Sequence, residues 1–209
     1  MKRSIPWVIA VAALIGFGAS FSELQRVRGR FGEVTRHHFH DHQDVRQFMI
    51  RAALEGQDAP IVVIGDSITE MSRLPETIAG HPVVNAGIGG ATIEDFTTLA
   101  PKLFAGFHPA RIVIVLGANN DATVGPAYVA LLSTLKKFAP RLLAVAVPAP
   151  DGAALKNAQI KAAADREGVA FVETPMPDGS FLTDHIHLNA AGYRVWIPAL
   201  VTAISHPTS

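Results

Sequence analysis

Five short runs of apolar, largely β-branched residues constrain this chain more than any other feature. They lie at residues 61–64, 82–85, 111–116, 142–147 and 169–172, and three of them end at Gly65, Gly117 and Pro148. The runs are continuous, not alternating, which predicts strands buried on both faces. Helical patterning fills the intervals, at about 91–105, 124–138 and 152–167, with a last helix at about 189–204 and a leading one at about 42–55. Strand and helix in alternation imply a parallel sheet covered on both sides, a three-layer α/β/α architecture with five strands. At 209 residues there is room for one such domain and its approaches.

Composition removes several classes of function. Lys+Arg and Asp+Glu both number 18, so no overall basic field exists to draw nucleic acid. The chain has no cysteine, which excludes disulfides, thiol catalysis and cysteine-held zinc or iron–sulfur sites. Hydrophobic residues at 49% and charged residues at 17% are incompatible with a disordered chain.

The N-terminus reads as an address. Lys2 and Arg3 precede an uncharged stretch over residues 4–22, the form of a secretory signal peptide and nearly the length of a membrane anchor. Gly18, Ala19 and Ser20 offer small residues for cleavage without a clear A-x-A site. Arg26, Arg28, Arg30 and Arg36 follow the apolar stretch and weigh against simple export by the positive-inside rule. Residues 1–22 are therefore expected to be a signal or an anchor, with membrane association through residues 5–21 and an exported location. Residues 23–56 are expected to be a linker and leading helix, and residues 57–209 the folded domain. Within the linker, His37, His38, His40 and His42 cluster, and His38 and His42 have the i,i+4 spacing of a helical metal site. No carboxylate–histidine pattern elsewhere completes such a site, so the expectation is a solvated segment and no metal.

Polar motifs sit where the strands end, which is where open α/β sheets bind ligands. Gly65-Asp66-Ser67-Ile68-Thr69 follows the first strand, Gly87-Ile88-Gly89-Gly90 the second, and Gly117-Ala118-Asn119-Asn120 the third; Asp184-His185-Ile186-His187 precedes the last helix. A serine on a strand-to-helix turn presents its hydroxyl among outward-pointing amides. Singly, each motif reads as an ordinary turn or N-cap. A dinucleotide fingerprint is not completed, since Thr92 or Ile93 stands where G-x-G-x-x-G needs its last glycine.

Taken in order, the four motifs resemble the SGNH subgroup of the GDSL hydrolases, serine esterases and lipases, over about residues 60–205. Gly65-Asp66-Ser67-Ile68 resembles block I, with Ile68 for the family's Leu, and residues 85–90 resemble block II. Gly117-Ala118-Asn119 resembles block III, and Asp184 with His187 resembles the Asp-x-x-His of block V, continued by residues 188–193. Asn120 stands where the family's block III has Asp, a departure that bears on loop geometry and not on the nucleophile. The resemblance implies a flavodoxin-like sheet in the order 2-1-3-4-5. It also implies a catalytic Ser67, His187 and Asp184, an oxyanion hole made by the N–H groups of Ser67 and Gly90 and the Asn119 side chain, and no cofactor.

These residue types suit ester hydrolysis. A serine hydroxyl needs a base, His187, and an imidazolium needs a carboxylate, Asp184. Asp66 is expected to stabilise its turn, His185 to lie at the rim, and His81 and His108 to lie at the far edge of the sheet. About fourteen residues separate Ser67 from the second strand, which leaves little material for a lid. An open cleft favours a bulky ester such as an acetylated cell-envelope glycan, with lipid and small acyl esters also compatible. The same acyl-serine could pass its acyl group to a sugar hydroxyl, an O-acyltransferase, and the fold could also serve a non-catalytic envelope protein.

Overall fold

The structure, a computed structural model, describes residues 5–148, 153–174 and 176–206, apart from the side chains of residues 5, 6, 8–12 and 31–41. The chain divides into two compact units, Met1–Val45 and Arg46–Ser209. Helix α1 (Ile5–Leu54) runs through the first unit and opens the second. Its continuity differs from the sequence reading, which placed a linker before a helix beginning near residue 42. The physical reason is that weak apolar periodicity argues against burial, not against helix. No proline occurs between Trp7 and Ala59, and Arg, Gln, Glu and Ala are good helix formers. Residues 13–30 are accordingly helical and exposed. Among the described residues no helix is long and apolar enough to cross a membrane, and no three His, Asp or Glu side chains converge as a metal site. The side chains of His37, His38 and His40 lie outside the described residues; His42 is exposed.

The second unit alternates strand and helix: β1 (Ile61–Gly65), α2 (Ser67–Glu70), β2 (Thr77–Ile78), β3 (His81–Gly87), α3 (Ile93–Leu103), β4 (Arg111–Val115), α4 (Gly125–Leu135), β5 (Leu142–Val145), α5 (Ala153–Arg166), β6 (Ala170–Val172) and α6 (Ala190–Ser205). The sheet order is β2-β3-β1-β4-β5-β6. Its five parallel strands follow the expected 2-1-3-4-5 order. The sheet nevertheless has six strands, not five, because β2 pairs antiparallel with the start of β3. Ala79 and Gly80 both have positive φ, 50° and 81°, as a tight hairpin turn requires. Ala-Gly is a poor sequence signal for such a turn, since alanine rarely adopts that conformation.

Strand residues feed two cores in alternation. Val62, Ile64, Ile112 and Ile114 pack with Ile50 and Leu54 of α1 and with α3, α4 and α5. Ile61, Val63, Val113 and Val115 pack against Trp196, Leu200 and Ile204 of α6. Each fully buried valine or isoleucine side chain contributes about 1.5–3 kcal/mol relative to exposure. Parallel register then sets the site: Gly65 is aligned with Gly87 on one side and Val115 on the other. The three motif-bearing loops consequently leave the sheet side by side.

Candidate active site

The β1–α2 turn holds Ser67 at the first position of its short helix. Asp66 caps that helix, its Oδ1 accepting from the Ile68 N–H at 3.0 Å. Gly65 and Gly87 are required by close approach: a Cβ on Gly65 would overlap the Thr69 side chain, and one on Gly87 the backbone of Glu70. Asn85 fastens the turn to β3, donating to Thr69 O at 2.8 Å and Ser72 O at 3.1 Å while its Oδ1 accepts from Gly87 N–H.

The β3–α3 loop is a tight turn closed by the Ala91 N–H on Ile88 O, with Gly90 at φ 76°. That is the third position of a type II turn, where glycine is favoured. The β4–α4 loop carries Asn119, exposed, with one amide hydrogen on Ala91 O at 3.1 Å and the other available to a ligand. Among the described residues, neither Ser67 N–H nor Gly90 N–H donates to a protein acceptor. Asn120 explains its own departure from the family pattern. Its Oδ1 accepts from Ile93 N–H at 3.0 Å, as an aspartate could, but its Nδ2 donates to Glu94 at 2.6 Å, where an aspartate would face like charge.

The fourth loop returns from β6. Asn189 caps α6 through the N–H groups of Ala191 and Gly192, and donates to Gly179 O and Phe181 O, closing the loop at its base. Within it, Asp184 Oδ1 accepts from the N–H groups of Ile186 and His187 at 2.9 and 3.0 Å, and Oδ2 faces His187 Nδ1 at 2.7 Å. His187 Nε2 lies 2.9 Å from Ser67 Oγ. The structure thus brings Ser67, His187 and Asp184 into one hydrogen-bonded chain. The imidazole beside Asp184 and the two N–H donors hold its carboxyl down at about 2. His185 takes a left-handed conformation, φ 56°, and lines a separate cleft with Leu182 and Lys161. His108 is exposed, whereas His81 is half-buried with its Nδ1 2.9 Å from Ala59 O.

Two further side chains support the site in roles that the sequence did not assign. Tyr193 of α6 donates to Ile68 O at 2.8 Å, tying α6 to the nucleophile's helix. Burial, and the charge of Asp66, push its phenol up to about 12, so it remains a donor. Lys156 of α5 reaches Gly117 O and Ala118 O at 3.2 Å, and also Asn120 O, gathering the Asn119 loop on one ammonium. Tyr193 closes the motif at residues 188–193, which assigned it no role; nothing in one sequence marks Lys156.

Asp66 is the buried acid of the site, 2% exposed. Burial raises its carboxyl from 3.8 to about 6, against the opposing pull of the Ile68 N–H and of His187. Its folded value exceeds its unfolded one, so this group favours the fold most at low pH, and that contribution is lost as pH rises between 3.8 and 6. Asp66→Asn keeps an acceptor for Ile68 N–H without the charge. In urea unfolding, the variant should exceed the parent by up to about 3 kcal/mol at pH 8 and match it at pH 4. An equal difference at both pH values would show that Asp66 does not titrate in this window.

No curated protein sequence gives a significant match. Solved structures share the fold. An acetylxylan esterase, Axe2 from Geobacillus stearothermophilus, in the form of a catalytic mutant, is 16% identical, with a TM-score of 0.59 over 73% of this chain and 97% of its own. TesA is 24% identical, with a TM-score of 0.57 over 69% of this chain and 97% of its own. LAE5, an α/β hydrolase from the metagenome of Lake Arreo, Spain, is 17% identical, with a TM-score of 0.57 over 73% of this chain and 98% of its own. The model of the GDSL-like lipase/acylhydrolase family matches residues 63–195, a span that opens within β1 just before the nucleophile turn and closes within α6 just beyond His187 and Tyr193. The four motif-bearing loops fall inside that match, and the chain belongs to this family of carboxylic ester hydrolases.

Proposed function

We propose that this member of the family cleaves its ester through an acyl-serine formed on Ser67. The observation that carries the reading is the hydrogen-bonded chain from Ser67 Oγ through His187 to Asp184. His187 Nε2 takes the hydroxyl proton as Oγ adds to the ester carbonyl, and Asp184 stabilises the imidazolium. The tetrahedral oxyanion is received by the N–H groups of Ser67 and Gly90 and by the Asn119 amide; one such donor is worth about 10²–10³ in turnover. His187 then protonates the departing alcohol. Water, giving a proton to the same imidazole, adds to the acyl carbonyl; as that intermediate collapses His187 returns the proton to Ser67 Oγ, and the carboxylic acid and free Ser67 are released.

The substrate reading is an acyl group, acetyl first, on a cell-envelope glycan. Gly90, Asn119 and Asp184 are exposed and Ser67 half-buried, an opening that suits a bulky alcohol portion. A structure of the same fold, at 16% identity, is an acetylxylan esterase. Export of the domain through residues 1–22, cleaved or retained as an anchor, belongs to the same reading; it is supported by an α1 that leaves Leu14, Ile15, Phe17 and Phe21 exposed. The test is turnover on p-nitrophenyl esters of increasing chain length alongside acetylated oligosaccharides. The expected order is acetyl above octanoyl, with acetate released from the oligosaccharide. A preference for octanoyl with no acetate release would overturn the glycan assignment and leave the acyl-serine standing.

A further inference from the structure

The loop bearing Gly90 is held by two side chains from outside the motif. Arg46, on the last part of α1, donates from Nε and Nη2 to Gly87 O at 3.0 and 2.7 Å, and Nη2 lies 3.4 Å from Asn85 O. Its Nε is also 3.3 Å from Glu70 Oε1. Glu70 ends the four-residue helix that Ser67 begins, and its Oε2 accepts from the Gly89 N–H. Both side chains are largely covered, at 13% and 19% exposure, so solvent screens the pair weakly.

The consequence is geometric. In the turn over residues 88–91, the orientation of the Gly89–Gly90 peptide decides where the Gly90 N–H points. The two peptides before it are pinned, one by its carbonyl to Arg46 and the other by its N–H to Glu70. Glycine at 89 and 90 supplies no side chain to fix either orientation, so beyond the backbone bonds from Ile88 N–H to Gly65 O and from Ala91 N–H to Ile88 O the loop is held by the ion pair. Because Glu70 shares a helix with Ser67, the pair also fixes the spacing between nucleophile and oxyanion donor.

We propose that Arg46 and Glu70 are positioning residues for the oxyanion hole, which makes the end of α1 a working part of the hydrolytic site. The proposal rests on the acyl-serine reading and on Gly90 as an oxyanion donor. Arg46 lies outside residues 63–195, the part of the chain that the family model describes. Lysine would keep the charge but not the fork that reaches Gly87 O and Glu70 together.

The experiment uses the full chain and counts working sites by complete titration with a fluorophosphonate, so that unfolded protein is not scored. Arg46→Met and Glu70→Gln should lower kcat per titrated site by up to about 10²-fold, the scale for a displaced catalytic group, with KM changed less than about twofold. Affinity for a trifluoromethyl ketone, whose adduct carries the oxyanion, should fall by the same factor as kcat/KM. Arg46→Lys should recover part of both losses. Should Arg46→Met not fold, Arg46→Lys and Glu70→Gln decide the matter by the same two readouts. Parental kcat per site and parental ketone affinity in the folded variants would overturn the proposal, as would a loss confined to the number of titratable sites. Full turnover by Ser67→Ala would instead remove the acyl-serine reading beneath it, whatever the Arg46 variants do.

Discussion

His187→Ala is expected to lose at least about 10⁴-fold in kcat/KM on a p-nitrophenyl ester, with the ascending limb of its pH profile abolished. The loss is large because the imidazole serves four proton transfers, from Ser67, to the leaving alcohol, from the attacking water and back to Ser67. Geometry admits no substitute: His185, two residues away, turns into another cleft, and His185→Ala should keep most of both rate and profile. Asp184, held at about 2 by His187 and two backbone N–H groups, is anionic throughout the working range and contributes no limb of its own above pH 4. Asp184→Asn should cost up to about 10⁴-fold, since the amide cannot stabilise the imidazolium and can impose the wrong tautomer. Asp66 titrates at about 6 beside the site, so the profile of Asp66→Asn separates the two groups. A limb that persists in Asp66→Asn and vanishes in His187→Ala belongs to the base. A dead His185→Ala with an active His187→Ala would mean that the Asp-x-x-His spacing selected the wrong histidine.

Legibility in the sequence followed the length scale of each feature. The five parallel strands were readable because a strand buried on both faces must be apolar at every position, as residues 61–64 are. β2 was not readable: two residues make no pattern, and its turn uses Ala79 in a conformation that favours Asn or Gly. The unbroken α1 was missed because periodicity reports a buried face, and residues 13–30 bury none. Ser67, Gly90, Asn119, Asp184 and His187 were named through the resemblance of four ordered motifs to the family, since each motif singly reads as an ordinary turn or N-cap. Asn120 was marked as a departure, but its reason, the neighbouring Glu94, lies 26 residues back and appears only in the fold. Arg46 and Lys156 act on loops 41 and about 38 residues away, and a lone cation in a helix gives no sign of such a reach.

Ser67→Ala is expected to lose about 10⁶-fold in kcat, the scale seen when a triad nucleophile is removed, leaving only what the oxyanion donors and binding supply. Stability should change little, because the deleted oxygen is half-buried and its main partner, His187, is reached by solvent. The fold will therefore remain to be tested as a binder without a nucleophile. The decisive measurement is intact-mass analysis after fluorophosphonate treatment, followed by peptide mapping. Attack of Ser67 Oγ on phosphorus expels fluoride, so the parent protein should gain one phosphonyl group per chain, located on the peptide containing Ser67, and Ser67→Ala should gain none. Labelling of Ser67→Ala to the parent's extent, or a parent adduct on any other residue, would contradict the assignment of this chain's chemistry to Ser67.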